Sequence, residues 1–276
     1  EGLLGQHPAD TIRHWTAQGK LGTDTAISEN QFKIGSRLLT KLWNAFRFCK
    51  DQLSEYKPSD TKPSLSPLNE WILHSFSNTF RSAIAEFESY DYTKSLEVTE
   101  KFFWHSFCDN YLELIKDQLF NPEKYEASEI EGTRFVLHEV GFGLLQLFAP
   151  IIPHLTETLY QMFYKETEGS ISIHTKIIDQ KRYEYDFEES ASLFNLVVDV
   201  VGQVRRLKSE NGLSLKAEVS TLEIYSTEQA SLDKVKGQEA VIAGISQAKE
   251  ISYICGDTSD FAIDKSDDSL VIRVNI

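Results

Sequence analysis

The sequence predicts a mainly α-helical protein, an up-and-down helical bundle followed by a small C-terminal α/β (α+β) domain. Three observations predict it. Apolar residues recur at helical spacing in successive stretches between about residues 28 and 164, and the joints between them carry proline, glycine or Asn-Pro. Beyond Asn211-Gly212 the apolar period falls to two in three short runs. No internal repeat or low-complexity tract is visible. The expected division is a linker helix and loop over 1–27, the bundle over 28–168, a connecting strand and basic-ended helix over 169–216, and the α/β domain over 217–276.

Taken in order, Pro8 to Gln18 reads as a short helix stopped by Gly19, and Gly19 to Ser28 as a loop. Ser28 is positioned to cap a long helix running to Lys50. Ser54 to Leu68, with Pro58, Pro63 and Pro67, cannot stay helical. Helical pattern resumes from Asn69 to about Tyr90, then from Tyr92 to Leu119, and from Ser128 to Phe148. The last of these contains Gly141 and Gly143, each costing about 1 kcal/mol against alanine, which points to close helix-helix approach. Ala149 to His154 breaks it, and Leu155 to Tyr164 makes a short helix. Ser170 to Lys176 reads as extended and Ser190 to Ser209 as a helix. Val219 to Tyr225 is a strand, Glu228 to Ala243 a helix, and Lys249 to Ile254 and Ser269 to Val274 are strands.

The long helix carries the most distinctive chemistry. Leu38, Leu39, Leu42, Phe46 and Cys49 share one face with the Gly35 backbone, which is core. On the other side Lys33, Arg37, Lys41, Asn44 and Phe48 fall within an arc of about 80°. This face has no acid on it and sets a bare aromatic among cations. Cations over a phosphate path plus a ring on which a base can stack is the chemistry of single-stranded nucleic-acid recognition. The same pattern fits a helix whose Phe48 is covered by a neighbour and whose cations merely solvate the surface.

Charge supports a localised contact rather than a coat. The net charge is −14, yet residues 1–50 carry +3, and residues 200–216 another +3 through Arg205, Arg206, Lys208 and Lys216 against Glu210. No run of apolar residues is long enough for a membrane span. The three cysteines, Cys49, Cys108 and Cys255, lack metal-ligand spacing and read as buried free thiols. No Gly-rich nucleotide loop, nucleophile elbow or zinc-binding helix motif occurs. His154 and Glu157 have the i,i+3 spacing of a ligand pair, but they follow Pro153 at a helix start, where the better reading is that Glu157 complements the dipole. The rings around Phe102, Phe103, Trp104 and Tyr111 read as core, with room for one exposed ring.

Five strings carry a family resemblance: ADTIRHW (Ala9 to Trp15), GTD (Gly22 to Asp24), LLTKLWNAFRF (Leu38 to Phe48), KFFWHSFCDNYLELIK (Lys101 to Lys116) and LFAPIIPHLTETLYQ (Leu147 to Gln161). They resemble the anticodon-binding region of the valyl-tRNA synthetases, and in looser form that of the isoleucyl and leucyl enzymes, over about residues 9–216. The resemblance implies a bundle that reads a tRNA anticodon, with Lys41 and Asn44 on phosphate or base edges and Phe48 stacked on a base. Lys33 and Arg37 extend that site by their place on the same face. It further implies a cytoplasmic, monomeric class I ligase that activates valine with ATP and magnesium and charges its tRNA. The family's nucleotide-binding and editing signatures are not in these residues, so no cofactor is expected here and these residues alone are expected to be inactive, docking against a catalytic domain of the same polypeptide. Many bacterial members end in a basic coiled-coil arm, whereas this tail lacks heptads and is closer to the archaeal type. Arg205, Arg206 and Lys208 stand as a substitute for the arm. A non-enzymatic protein-interaction bundle is the alternative outside the family.

Overall fold

Proline and capping residues set where the chain turns, and helices fill the intervals. The computed structural model describes residues 2–20, 22, 24, 27–59, 61–256 and 270–275. It divides into two units, Glu1–Phe187 and Glu188–Ile276, with the boundary inside the segment 169–216. In the first unit α1 (Ala9–Gln18) leads to α2 (Glu29–Phe48) and the short α3 (Lys50–Glu55). Ser28 stands at the N-cap of α2, although its side chain makes no capping bond. α4 (Pro67–Glu88) follows Ser66, whose hydroxyl accepts from the Asn69 N–H at 3.3 Å. Pro67 therefore opens this helix instead of closing the loop, because the first helical position has no use for an N–H.

The stretch expected as one α-helix from Tyr92 to Leu119 is composite. α5 (Tyr92–Lys101) is regular, Phe102–Tyr111 winds as a π-helix, and after Leu112–Leu114 a bend at Ile115 precedes α6 (Lys116–Phe120). The Leu112 N–H bonds the Phe107 carbonyl five residues back, the pairing that defines a π-turn. Along this segment the buried rings of Phe103, Phe107 and Tyr111 run nearly parallel, with centroids 6.4 and 6.1 Å apart.

α7 (Ala127–Phe148) is the bundle's axis: from Gly132 to Phe148 every residue except Arg134 is buried. A helix that is apolar all round is surrounded on all sides. Its glycines do mark close approach, but what approaches is aromatic. A Cβ at Gly143 would lie 2.5 Å from the Phe76 ring and 3.0 Å from Tyr183, and one at Gly141 would collide with the Tyr164 hydroxyl and touch Phe46 at 3.3 Å.

α8 (Pro153–Phe163) follows. Ser170 to Lys176, expected as extended, is irregular with a 3₁₀ turn at Ile173–Thr175. The leg beyond it buries Tyr183 and Tyr185 and brings Arg182 to two acids. The guanidinium donates to Glu139 at 2.9 and 2.5 Å and to Glu168 at 2.9 and 2.7 Å, and Lys176 also pairs with Glu168. Buried charges persist only when paired in this way.

The second unit begins with α9 (Glu188–Glu210). β1 (Val219–Ser226) is followed by α10 (Gln229–Lys236) and α11 (Glu239–Ser246), two helices parted near Gly237 where one was expected. β2 (Ala248–Cys255) pairs parallel with β1, and β3 (Val271–Asn275) pairs antiparallel on its other edge, giving the order β2-β1-β3. Ser269, the expected start of the last strand, lies outside the described residues. Leu222 and Ile224 are buried on the same face of β1, the period of two read in the sequence. Cys49 and Cys108 are buried as expected, whereas Cys255, at the end of β2, is exposed.

Burial alone would raise the Glu139 carboxyl, but the hydrogen bonds from Arg182 outweigh it and hold the pKa at about 2. A depressed carboxylate stabilises the fold above its unfolded pKa and loses that contribution as pH falls through the folded value. The melting temperature is therefore expected to fall between pH about 5 and 2, by an amount worth a few kcal/mol. Arg182→Met should flatten or reverse that slope, because the orphaned Glu139 is then raised by burial. An unchanged slope in thermal melts over this window would contradict the role given to the network.

Candidate nucleic-acid interface

The rotation of α2 is fixed from its core side. Phe32, Gly35, Leu38, Leu42, Ala45 and Phe46 are buried. At Gly35 the helix crosses α1 so closely that a Cβ would sit 2.9 Å from His14 Nδ1. Phe46 meets Tyr164 edge-on, with centroids 6.1 Å apart. With that side committed, Lys33, Arg37 and Asn44 are exposed and Lys41 and Phe48 partly exposed, so the five residues of the wheel do share one accessible face.

Neighbouring elements complete the face. The ammonium of Lys41 lies 5.5 Å from the centre of the Trp104 ring and 3.7 Å from Asp109. The acid that this face of α2 lacks is thus supplied by the π-segment. An exposed pair of this kind is worth little by itself, so Asp109 holds Lys41 in place without neutralising its use toward a phosphate. Phe48 meets Phe120, the last residue of α6, with centroids 5.8 Å apart and planes at 75°. Trp104, Asp109 and Phe120 were not singled out for this site from the sequence. On an α-helix residues five apart point about 140° from each other, which separates Trp104 from Asp109. In the π-segment residues five apart are bonded neighbours, and both reach Lys41.

The second basic cluster is different. Arg206 is exposed and 4.0 Å from Glu210, and Arg205 is half-buried. Lys208 is not a surface cation: it is 1% exposed, and its ammonium donates to the carbonyls of Leu215, Ala217 and Ser246 at 3.1, 2.7 and 2.8 Å. Burial lowers its pKa. All three donors are spent on carbonyls of the loop after α9 and of the end of α11, so Lys208 is not free to contact a tRNA. Its position was a warning, since Val197, Val201, Val204 and Lys208 lie at core spacing on one helix face.

Two of the strings that carried the resemblance turn out to grip each other. The buried Asp10 of α1 accepts from the His154 and Leu155 N–H groups at 3.3 and 2.8 Å, at the start of α8, and His154 Nδ1 lies 2.8 Å from the same carboxylate. A turn further on, Arg13 donates to the Pro150 and Ile151 carbonyls at 2.7 and 3.1 Å. An acid on a helix N-terminus and a cation on exposed carbonyls clasp both ends of one turn. In GTD, Thr23 lies outside the described residues. Glu157 bonds Gln161, Ser172 and the Ile173 N–H rather than His154. Among the described residues no three His, Cys, Asp or Glu side chains gather to hold a metal. A cleft of about 590 Å³ lies between the end of α1, the turn after α4 and Pro150, walled by Phe87, Tyr90 and Tyr92. It is apart from the α2 face. No described helix is long and apolar enough to cross a membrane.

The α2 face sets three cations beside aromatic rings, Phe48 of its own and Trp104 and Phe120 from neighbouring elements. The family described as the anticodon-binding domain of tRNA ligases matches residues 69–224, and the chain belongs to that family. The match begins at α4, so α2 precedes it, while Trp104, Asp109 and Phe120 lie within it. The chain is 38% identical over 236 residues to the valine--tRNA ligase of Rickettsia akari, covering 83% of this chain and 29% of that protein. It is 37% identical over 232 residues to that of Rickettsia rickettsii, covering 81% and 28%, and 35% identical over 254 residues to that of Rickettsia typhi, covering 87% and 31%. The chain therefore spans about three-tenths of the length of these relatives.

Lys208→Met is expected to destabilise the second unit by about 2 to 4 kcal/mol, because three carbonyls lose their donor. Urea denaturation measures it, and an unaltered midpoint would show that the buried ammonium is dispensable.

Proposed function

We propose that this chain binds the anticodon loop of a tRNA and does so as part of a valine--tRNA ligase. Within such an enzyme ATP, magnesium and valine are handled by residues other than these, in the cytoplasm. The observation that carries the reading is the α2 face, where exposed Lys33 and Arg37, Lys41 seated between Trp104 and Asp109, Asn44 and Phe48 lie in line. The family and the named relatives supply the kind of RNA. Phosphate contacts by the cations position the loop and tolerate sequence change, while a stack on Phe48 and hydrogen bonds from Asn44 select bases. Arg205 and Arg206 are proposed as additional backbone contacts. An acidic remainder discourages non-specific adsorption.

Phe48→Ala is expected to weaken binding of a valine-tRNA anticodon stem-loop by about 1 to 3 kcal/mol, the usual worth of one base stack. Fluorescence anisotropy reads this directly, and equal affinity would remove Phe48 from the site. Lys41→Ala is expected to lower the log-log salt slope by about one unit, one phosphate contact. A slope identical to that of the parent protein would mean that Lys41 serves only Asp109 and Trp104.

A further inference from the structure

A single apolar side chain at the surface needs no explanation, but the place of Phe120 does. It is 69% exposed, yet it stands edge-on to Phe48 at 5.8 Å, beside a helix face that carries Lys33, Arg37 and Lys41. The backbone that carries it is also braced. The turn that follows is braced on Asp117, whose carboxylate accepts from Asn121 Nδ2 at 2.7 Å and from the Tyr125 hydroxyl at 2.8 Å, with Lys124 at 3.7 Å. The Asn121 N–H bonds the Asp117 carbonyl at 2.8 Å as well. A ring carried on a braced turn has part of its ordering cost met before any ligand arrives.

We propose that Phe120 is a second stacking platform, taking an unpaired base of the same RNA loop next to the base on Phe48. The inference rests on the anticodon-loop reading above. With the two planes at 75°, a base lying flat on one ring stands nearly on edge to the other, so one base cannot stack on both. Each ring takes its own base, and the pair holds two neighbouring bases apart with their hydrogen-bonding edges free. The cations of α2 supply the attraction for the backbone that joins them.

The test uses the whole protein and a valine-tRNA anticodon stem-loop carrying 2-aminopurine at one loop position at a time, with Phe48→Ala, Phe120→Ala and Phe120→Tyr compared with the parent. The expected result is that Phe120→Ala weakens binding about tenfold, as loss of one stack does. It should change the fluorescence of one probe position, with Phe48→Ala changing an adjacent one and Phe120→Tyr neither. Exposure of Phe120 means that its removal leaves the melting temperature unaltered, which thermal melts confirm. If Phe48→Ala weakens binding while Phe120→Ala changes neither affinity nor any probe, the second platform is overturned. If both variants change the same single probe, the two-base arrangement is overturned. Absence of salt-sensitive binding by the parent protein would instead overturn the anticodon-loop reading itself.

Discussion

Much of the first unit depends on how aromatic rings seat against the glycines of the buried helix Ala127–Phe148. Gly141 leaves room for Phe46 and Tyr164, and Gly143 for Phe76 and Tyr183. Each glycine costs the helix about 1 kcal/mol relative to alanine, and burying a large ring offsets that cost. The consequence reaches the surface. Once Phe46 is committed to the notch over Gly141, helix geometry turns Phe48 about 160° away and aligns it with Asn44, Lys41, Arg37 and Lys33. The candidate interface is therefore the far side of a packing decision made in the core.

Polar clasps lock the elements around that core. Asp10 and Arg13 hold the two ends of the Pro150–Leu155 turn, which fixes α1, and α1 crosses α2 at Gly35. Glu139, Glu168, Arg182 and Lys176 tie the leg after α8 to the central helix. In both places a charge is buried only where donors and acceptors match, so a substitution on one side leaves an unpaired group on the other. This gives a physical reason for Asp10 and Arg13 in ADTIRHW and for His154 in LFAPIIPHL: they bind across the α1–α8 junction, while the interface residues sit elsewhere.

The fold was largely legible because the signals were local. Periodicity placed the helices, Asn211-Gly212 marked the change of period, and the α2 wheel separated a buried from an exposed face that the structure keeps. What escaped the sequence needed a neighbour or an unusual winding. Pro67 looked like loop because a helix-opening proline and a loop proline read alike until the Ser66 cap is seen. The π-segment follows from five-residue bonding that an α-wheel cannot represent, and with it went Trp104 and Asp109 as partners of Lys41. Lys208 reads as a surface cation when charge is weighed above position, although its spacing from Val204 puts it in the core stripe. Phe120 was hidden because its significance lies in contact with Phe48, seventy-two positions away in the chain.

The most direct test is a pair of anisotropy titrations of the protein with a valine-tRNA anticodon stem-loop and with the same stem carrying an exchanged anticodon, each at two salt concentrations. The account predicts tighter binding of the valine loop at both salts, with affinity for both RNAs falling as salt rises. Equal affinity for the two loops would contradict anticodon reading and reduce the α2 face to a non-specific phosphate contact.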